Sequence, residues 1–377
     1  MQFIDLKHQY QTLQPRIDKA IQKVLNHGQY IQGPEVFELE AELGAYTGRR
    51  YCVSCASGTD ALLMSLMAKG IGPGDAVFTT PFTFMATAEV IQLLGATSIF
   101  VDILDSTFNI DPAKLEITID ACQSKGKLIP KAIIPVDIFG LPANYGKIEE
   151  IGNKFGLCTI EDAAQSFGGK IKNKKAGSFG DIGTTSFFPA KPLGCYGDGG
   201  AIFTNDSQLA EDLISIRNHG QGYSKYDNIR IGLNGRLDTI QAAILLEKLK
   251  IFPDEIYQRI AIAKKYFKNL NEYFICQYVP KGYGSAWAQF SILAANTKER
   301  SMCIEKLKES GIPTAIYYPK PLHLQKAFSN LDYKVGDYPV SESISQRIFS
   351  LPMHPYLNDK DINLICDILI RCKESIQ

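Results

Sequence analysis

The chain has 377 residues, and its 40 lysines and arginines balance 40 aspartates and glutamates. That balance gives no support for a nucleic-acid surface or a polybasic membrane contact, though it leaves room for a basic pocket around a small anion. With 45% hydrophobic residues the chain is long enough to bury a large core, and its length suggests two or three lobes, or one large domain with a smaller one attached.

Apolar positions at helical spacing predict a helix over 17–26, stopped by Gly28, and a second over 35–46. A short apolar run at 51–53 then enters the turn Ser54-Cys55-Ala56-Ser57-Gly58, which opens a helix over 59–68 stopped by Gly70. Strands are predicted at 76–79 and 98–102, with a helix from Thr83 to Leu94 between them. Two buried strands at 131–136 and 157–162 flank a helix over 144–155. Strands at 183–188 and 200–204 are joined by the loop Pro189–Gly199, and helices follow at 207–217 and 238–250. Pro253 interrupts the pattern, and a long helix over 254–274 leads into shorter elements at 286–293, 297–310 and 359–375. Alternating strands and helices indicate an α/β fold with a mainly parallel sheet, a large domain over 1–245 and a smaller C-terminal α/β domain over 246–377.

Nine scattered cysteines and a start without a long apolar run read as free thiols in a reducing compartment, so a cytoplasmic protein is expected. No stretch has the length of a membrane span. Cys52-x-x-Cys55 has neither a second pair at ligand spacing nor nearby histidines, and it reads as two small residues at the end of a buried strand, with no metal expected.

Ligands of open α/β sheets sit beyond the carboxyl ends of the strands, and chemically distinctive residues fall at such ends here. Ser57-Gly58-Thr59 is either an ordinary strand-to-helix turn or a phosphate site built on free helix amides. Asp162 follows a run of mostly apolar residues, and reads either as a helix cap or as the partner of a cationic ring nitrogen. Lys191 lies among apolar residues and prolines before a glycine-rich run. It is either a lysine with its stem along the surface or an amine made nucleophilic by desolvation. Taken together with Phe84, Gln165 and Ser186, these residues offer a phosphate cup, a stacking face, an acid and a lysine, the groups that pyridoxal phosphate requires.

The segments Ser57–Leu62, Glu161–Ser166, Ser186–Lys191 and Gly197–Ala201 resemble those of the DegT/DnrJ family of sugar-nucleotide aminotransferases, as do Tyr30–Glu35 and Leu351–Pro355. The resemblance spans essentially the whole chain. It implies the aspartate-aminotransferase-like fold (fold type I) and a homodimer with shared active sites. It also implies pyridoxal 5'-phosphate as cofactor, alternating with pyridoxamine phosphate. By position, Lys191 would attach the cofactor and act as acid-base catalyst. Asp162 would pair with the ring nitrogen, Gln165 with the ring hydroxyl, and Phe84 would stack on the ring. Gly58, Thr59 and Ser186 would bind the phosphate, joined by Asn234 from the other subunit. Arg236 and Tyr318 would reach the sugar nucleotide across the interface, with Tyr317 beside them. Asn234 and Tyr318 also have plainer readings, as a turn residue before glycine and as packing in a proline-rich loop.

Within that family the runs Ser186–Asp206 and Arg236–Ala243 are most similar to enzymes that move the amino group of glutamate onto C3 of UDP-2-acetamido-2-deoxy-3-oxo-glucuronate, for cell-surface polysaccharides such as O-antigen. Those enzymes tend to carry histidine where this chain has Tyr317. Pro321–Gln325 resembles relatives acting on dTDP-linked 3-keto-6-deoxy sugars, and a 4-keto sugar nucleotide is a further alternative. Sugar dehydratases of the same fold replace the lysine with histidine, so Lys191 argues against them. The intact lysine, aspartate and glutamine argue against a non-catalytic sensor.

Overall fold

The computed structural model describes residues 1–224 and 226–375. Helices α1 (Leu6–His27) and α2 (Pro34–Thr47) precede β1 (Tyr51–Cys55), α3 (Gly58–Ala68), β2 (Asp75–Thr79), α4 (Ala86–Leu93) and β3 (Thr97–Phe100). Next come α5 (Pro112–Lys125), β4 (Ile129–Ile134), α6 (Tyr145–Phe155) and β5 (Cys158–Asp162). The short strands β6 (Lys170–Ile171) and β7 (Lys174–Lys175) lead to β8 (Ile182–Ser186) and β9 (Gly200–Thr204), then to α7 (Ser207–Arg217), α8 (Thr239–Leu249) and α9 (Phe252–Leu270). The C-terminal part holds β10 (Ile275–Cys276), β11 (Tyr283–Gly284), β12 (Phe290–Leu293), α10 (Thr297–Glu309), α11 (Pro339–Arg347), β13 (Ile348–Leu351) and α12 (Asp359–Glu374).

The main sheet has the order β1-β9-β8-β5-β4-β2-β3, with β9 antiparallel to both neighbours and every other pairing parallel. Its central strands are buried on both faces, which is why they read as nearly unbroken runs of apolar and small residues. Val77, Ile134, Ile160 and Ile202 face α3, α4 and α7, while their strand neighbours Phe78, Ile133, Ala201 and Phe203 face α2, α5, α6 and α8. That alternation sandwiches the sheet between two helical layers and leaves its carboxyl edge free.

A second sheet, β10-β12-β13, is antiparallel and packs its own core with α10 and α12 through Phe290, Ile292, Phe349, Leu307, Ile365 and Leu369. Helix α9 serves both cores. Phe252 and Ile256 lie in the core beneath the main sheet, whereas Ile262, Tyr266 and Leu270 lie in the C-terminal one.

Several elements differ from expectation for local reasons. Helix α1 starts at Leu6 rather than at 17, because the Asp5 carboxylate accepts the His8 N–H at 2.9 Å and caps it. Helix α4 starts at Ala86 rather than at Thr83. Pro253 does not break the chain but sits in the first turn of α9, where its missing N–H costs nothing. Helix α5 was not expected, since only Leu115 and Ile119 of it are buried; its signal is the Asp111-Pro112 start, with Asp111 accepting the Ala113 N–H at 2.9 Å. Cys52 and Cys55 stand an odd number of residues apart on β1 and serve cores on opposite faces of the sheet; burial pushes both thiols up. All nine cysteines are free.

Candidate active site

Antiparallel β9 brings three turns together at the carboxyl edge of the main sheet. Gly200 opens β9 and pairs with Cys55 on one side and Ser186 on the other. The turn into α3 therefore lies against the end of β8. A Cβ at Gly58 would stand 2.6 Å from the Ser186 Cβ, and one at Gly200 would stand 2.4 Å from the Ser57 carbonyl oxygen, so neither position admits a side chain without movement. Ser57 caps α3 by accepting the Asp60 N–H at 3.0 Å. The amides of Gly58 and Thr59 are left at the positive end of the helix, beside the Ser186 hydroxyl.

Asp162, the last residue of β5, is buried and accepts hydrogen bonds from the Thr87 hydroxyl at 2.9 Å and the Ala164 N–H at 3.2 Å. Thr83 lies 3.0 Å from Thr87, so the start of α4 is recruited to hold this acid. Burial raises the carboxyl above its ordinary value, while Thr87, Ala164 and the nearby Lys191 amine oppose the shift. Sequence reasoning missed Thr87; its one signal is its place on the turn that follows Phe84.

Gln165 is fixed at both ends. Its carbonyl oxygen accepts the Phe139 N–H at 2.7 Å and its amide donates to the Tyr318 hydroxyl at 3.0 Å. Phe139 takes a positive φ of 60°, which turns its amide toward Gln165. Tyr318 was expected to act across a subunit interface; the structure instead places it in this chain's own site, where it packs edge-on to Phe82 at 6.1 Å. Burial raises its phenol.

Lys191 sits on the β8–β9 connection. Its N–H donates to the Phe188 carbonyl at 2.9 Å, and the flanking Phe187 and Cys195 are buried. The half-buried amine has no hydrogen bond or ion pair among the described residues, and burial lowers its pKa against the pull of Asp162. Phe84 is 57% exposed, and its carbonyl accepts the N–H of Thr87, the residue that bonds Asp162, at 3.4 Å. Tyr317 is half-buried between Phe3 and Tyr318, at 6.3 and 5.8 Å. Asn234 is exposed on a bridge to Asn218, and Arg236 is half-buried with its Nε unpartnered among the described residues. Gly235 between them accepts the Ala56 N–H at 3.0 Å, which ties this strip to the turn into α3.

The donor set fits pyridoxal phosphate. The turn between Gly58 and Ser186 is the cradle a phosphate needs, and added side chains would fill it. Asp162 keeps acceptor capacity for a protonated ring nitrogen, and the Lys191 amine near it is unpaired among the described residues.

Residues 11–370 match the DegT/DnrJ/EryC1/StrS aminotransferase family. The chain is 47% identical to the UDP-2-acetamido-2-deoxy-3-oxo-D-glucuronate aminotransferase of Pseudomonas aeruginosa, over 98% of this chain and 99% of that one. The crystal structure of a DegT DnrJ EryC1 StrS aminotransferase from Brucella abortus is 52% identical, covers 99% of both chains and superposes with a TM-score of 0.96. NtdA from Bacillus subtilis with bound cofactor PMP is 31% identical, covers 96% of this chain and 82% of that one, and has a TM-score of 0.88.

Proposed function

The chain belongs to the DegT/DnrJ/EryC1/StrS aminotransferase family and is a pyridoxal-phosphate-dependent aminotransferase, and we propose that it carries the amino group of glutamate to C3 of UDP-2-acetamido-2-deoxy-3-oxo-glucuronate. The observation that carries this reading is the meeting of Lys191, Asp162 and the Gly58–Ser186 cradle on one sheet edge, in a chain 47% identical to an enzyme of that name.

Bound there, pyridoxal phosphate supplies an electron sink for negative charge developing beside the transferred nitrogen. In this reading Lys191 attaches the cofactor, and its amine, freed when glutamate takes its place, moves the proton to and from the reacting carbon. The lowered pKa of Lys191 suits that work, because an amine must be neutral to accept a proton. Asp162 holds the proton on the ring nitrogen, and Gln165 orients the ring hydroxyl. Phe84 stacks on the ring, while Gly58, Thr59 and Ser186 hold the phosphate. Tyr317 and Tyr318 line the sugar side.

The reading includes a homodimer, in which Asn234 and Arg236 serve the site of the other copy. Exposed apolar residues close to this strip support it, among them Ile229, Ile231, Tyr30 and Ile31. Thr239 donates its N–H to the Tyr30 carbonyl, so the two segments adjoin. The enzyme would act in the cytoplasm, in cell-surface polysaccharide biosynthesis such as that of O-antigen; no helix among the described residues is long and apolar enough to cross a membrane.

The test is a product assay on UDP- and dTDP-linked 3-keto and 4-keto sugars with glutamate. Turnover of the UDP-linked 3-keto uronic acid is the expected result, and preference for a dTDP-linked sugar would replace it. Tyr317→His probes the uronic acid contact, and selectivity unchanged by it would take Tyr317 out of the assignment.

A further inference from the structure

The loop that carries Lys191 leans on one face of α8, and we propose that Lys248 and Gln241 on that face are positioning residues that set where the Lys191 amine stands. The inference rests on Lys191 being the point of cofactor attachment.

Gln241 and Lys248 are two helical turns apart and so share a face of α8. The Lys248 Nζ donates to the Gly194 carbonyl at 2.5 Å and lies 4.3 Å from the centroid of the Tyr196 ring. The Gln241 Oε1 accepts the Tyr196 N–H at 2.8 Å. Both contacts fall on the arm of the loop that returns from Lys191 to β9. The root of the loop is held by the sheet itself, where Phe187 donates to the Gly199 carbonyl at 2.7 Å and Cys195 donates to the Phe187 carbonyl at 2.8 Å. The sheet thus fixes the root and α8 fixes the arm.

Lys248 is an unusual choice for mere packing. It is 1% exposed and makes no ion pair among the described residues. The acid that acts on it, Glu255 on α9, has its carboxylate bonded to Gln9 at 2.8 and 3.1 Å and to the Tyr356 hydroxyl. Cys195 and Tyr196 face the amine from the loop, and Tyr10 of α1 packs against Tyr196, with Leu13 and Ile17 closing the site over Ile244. A methionine would fill the same space without a charge to bury, so stability alone gives no reason for an ammonium here. Its distinguishing contribution is a charge-assisted bond to the loop carbonyl and a cation over the loop's aromatic ring.

Lys248→Met, Lys248→Arg and Gln241→Leu, each reconstituted with pyridoxal phosphate, test this. Lys248→Met is expected to unfold at the same or a higher temperature without cofactor, yet to lose roughly 10- to 100-fold in kcat, the cost of a small misplacement of a reacting group. The KM for glutamate should stay within about two-fold, since uniform binding is untouched. The pH at which the visible band of the Lys191-bound cofactor titrates should move, and Lys248→Arg should restore it. Gln241→Leu should move it less, and the double variant should fall short of the product of the two effects. Wild-type kcat and an unmoved band in Lys248→Met would overturn the proposal. So would a loss of melting temperature and activity together with an unmoved band, which marks a purely structural lysine. Should Lys248→Met fail to fold, a Gln241→Leu band that titrates as in the wild type overturns it alone. If the wild-type protein shows no visible band with pyridoxal phosphate, the attachment reading falls first and this one with it.

Discussion

Strand β5 ends in two neighbouring acids, and the regions they enter could hardly differ more. Glu161 points to one face, where it is fully buried and accepts the N–H groups of Gly177 and Phe179, each at 2.8 Å. Arg49 stands by and donates to the carbonyls of Ser178, Phe179 and Gly180, so the turn is closed and each carboxylate oxygen has a donor. Asp162 points to the other face with one hydroxyl and one amide on its oxygens, near Lys191, whose amine has no partner among the described residues. Burial raises both carboxyls. Each carboxylate oxygen of both acids has one donor, so the difference lies in the neighbouring cation: Arg49 near Glu161 is committed to three carbonyls, whereas the Lys191 amine near Asp162 has no hydrogen bond or ion pair among the described residues and is left for a ligand.

Lys191→Ala should break the second region most completely. Transamination should fall by at least roughly 10⁴-fold with the visible absorbance lost, while circular dichroism stays unchanged. Asp162→Asn and Glu161→Gln form a crossed pair. The first should cost roughly 10²- to 10³-fold in kcat with little change in urea midpoint. The second turns an acceptor oxygen into a donor against backbone N–H groups and should cost about 2–4 kcal/mol of stability, with kcat per folded molecule kept. Activity lost in Glu161→Gln without destabilisation would end the division between the two acids. Gly58→Ala must push on Ser186 and should weaken pyridoxal phosphate binding by about 1–3 kcal/mol, read from a fluorescence titration.

A last effect, on stability alone, concerns a buried cation that neither region contains. Burial lowers Lys248 to about 8, against an unfolded value of about 10.4. Below pH 8 both states hold the proton and the folded state bears the full cost of the buried charge. As pH rises from 8 to 10.4 the folded state releases a proton that the unfolded state keeps, so stability rises with pH across that window. Denaturant titrations should show wild type gaining at most about 3 kcal/mol on Lys248→Met between pH 7 and pH 10.5. A constant difference would mean that Lys248 stays charged.

What the sequence made legible follows from what each signal encodes. The main-sheet strands and the helices behind them were legible because burial on two faces writes long apolar runs. The chemistry of Lys191 and Asp162 was legible because a charge among apolar residues is costly and therefore informative. The contact between Gly58 and Ser186 was not, since it depends on β9 running between β1 and β8, a pairing that local periodicity does not contain. Nor was the bond from Gln165 to Tyr318, whose partners lie far apart in the chain and meet only once the C-terminal segment has docked. Helix α5 escaped because a helix resting on two apolar side chains leaves almost no pattern.

Helix α9 has a consequence for how the protein comes apart. Because its first turns complete the core under the main sheet and its later turns complete the C-terminal core, neither half can be melted or cut away without opening the other. Heat should therefore take the cofactor-free chain apart in one cooperative event, a single calorimetric peak from a molecule built on two sheets.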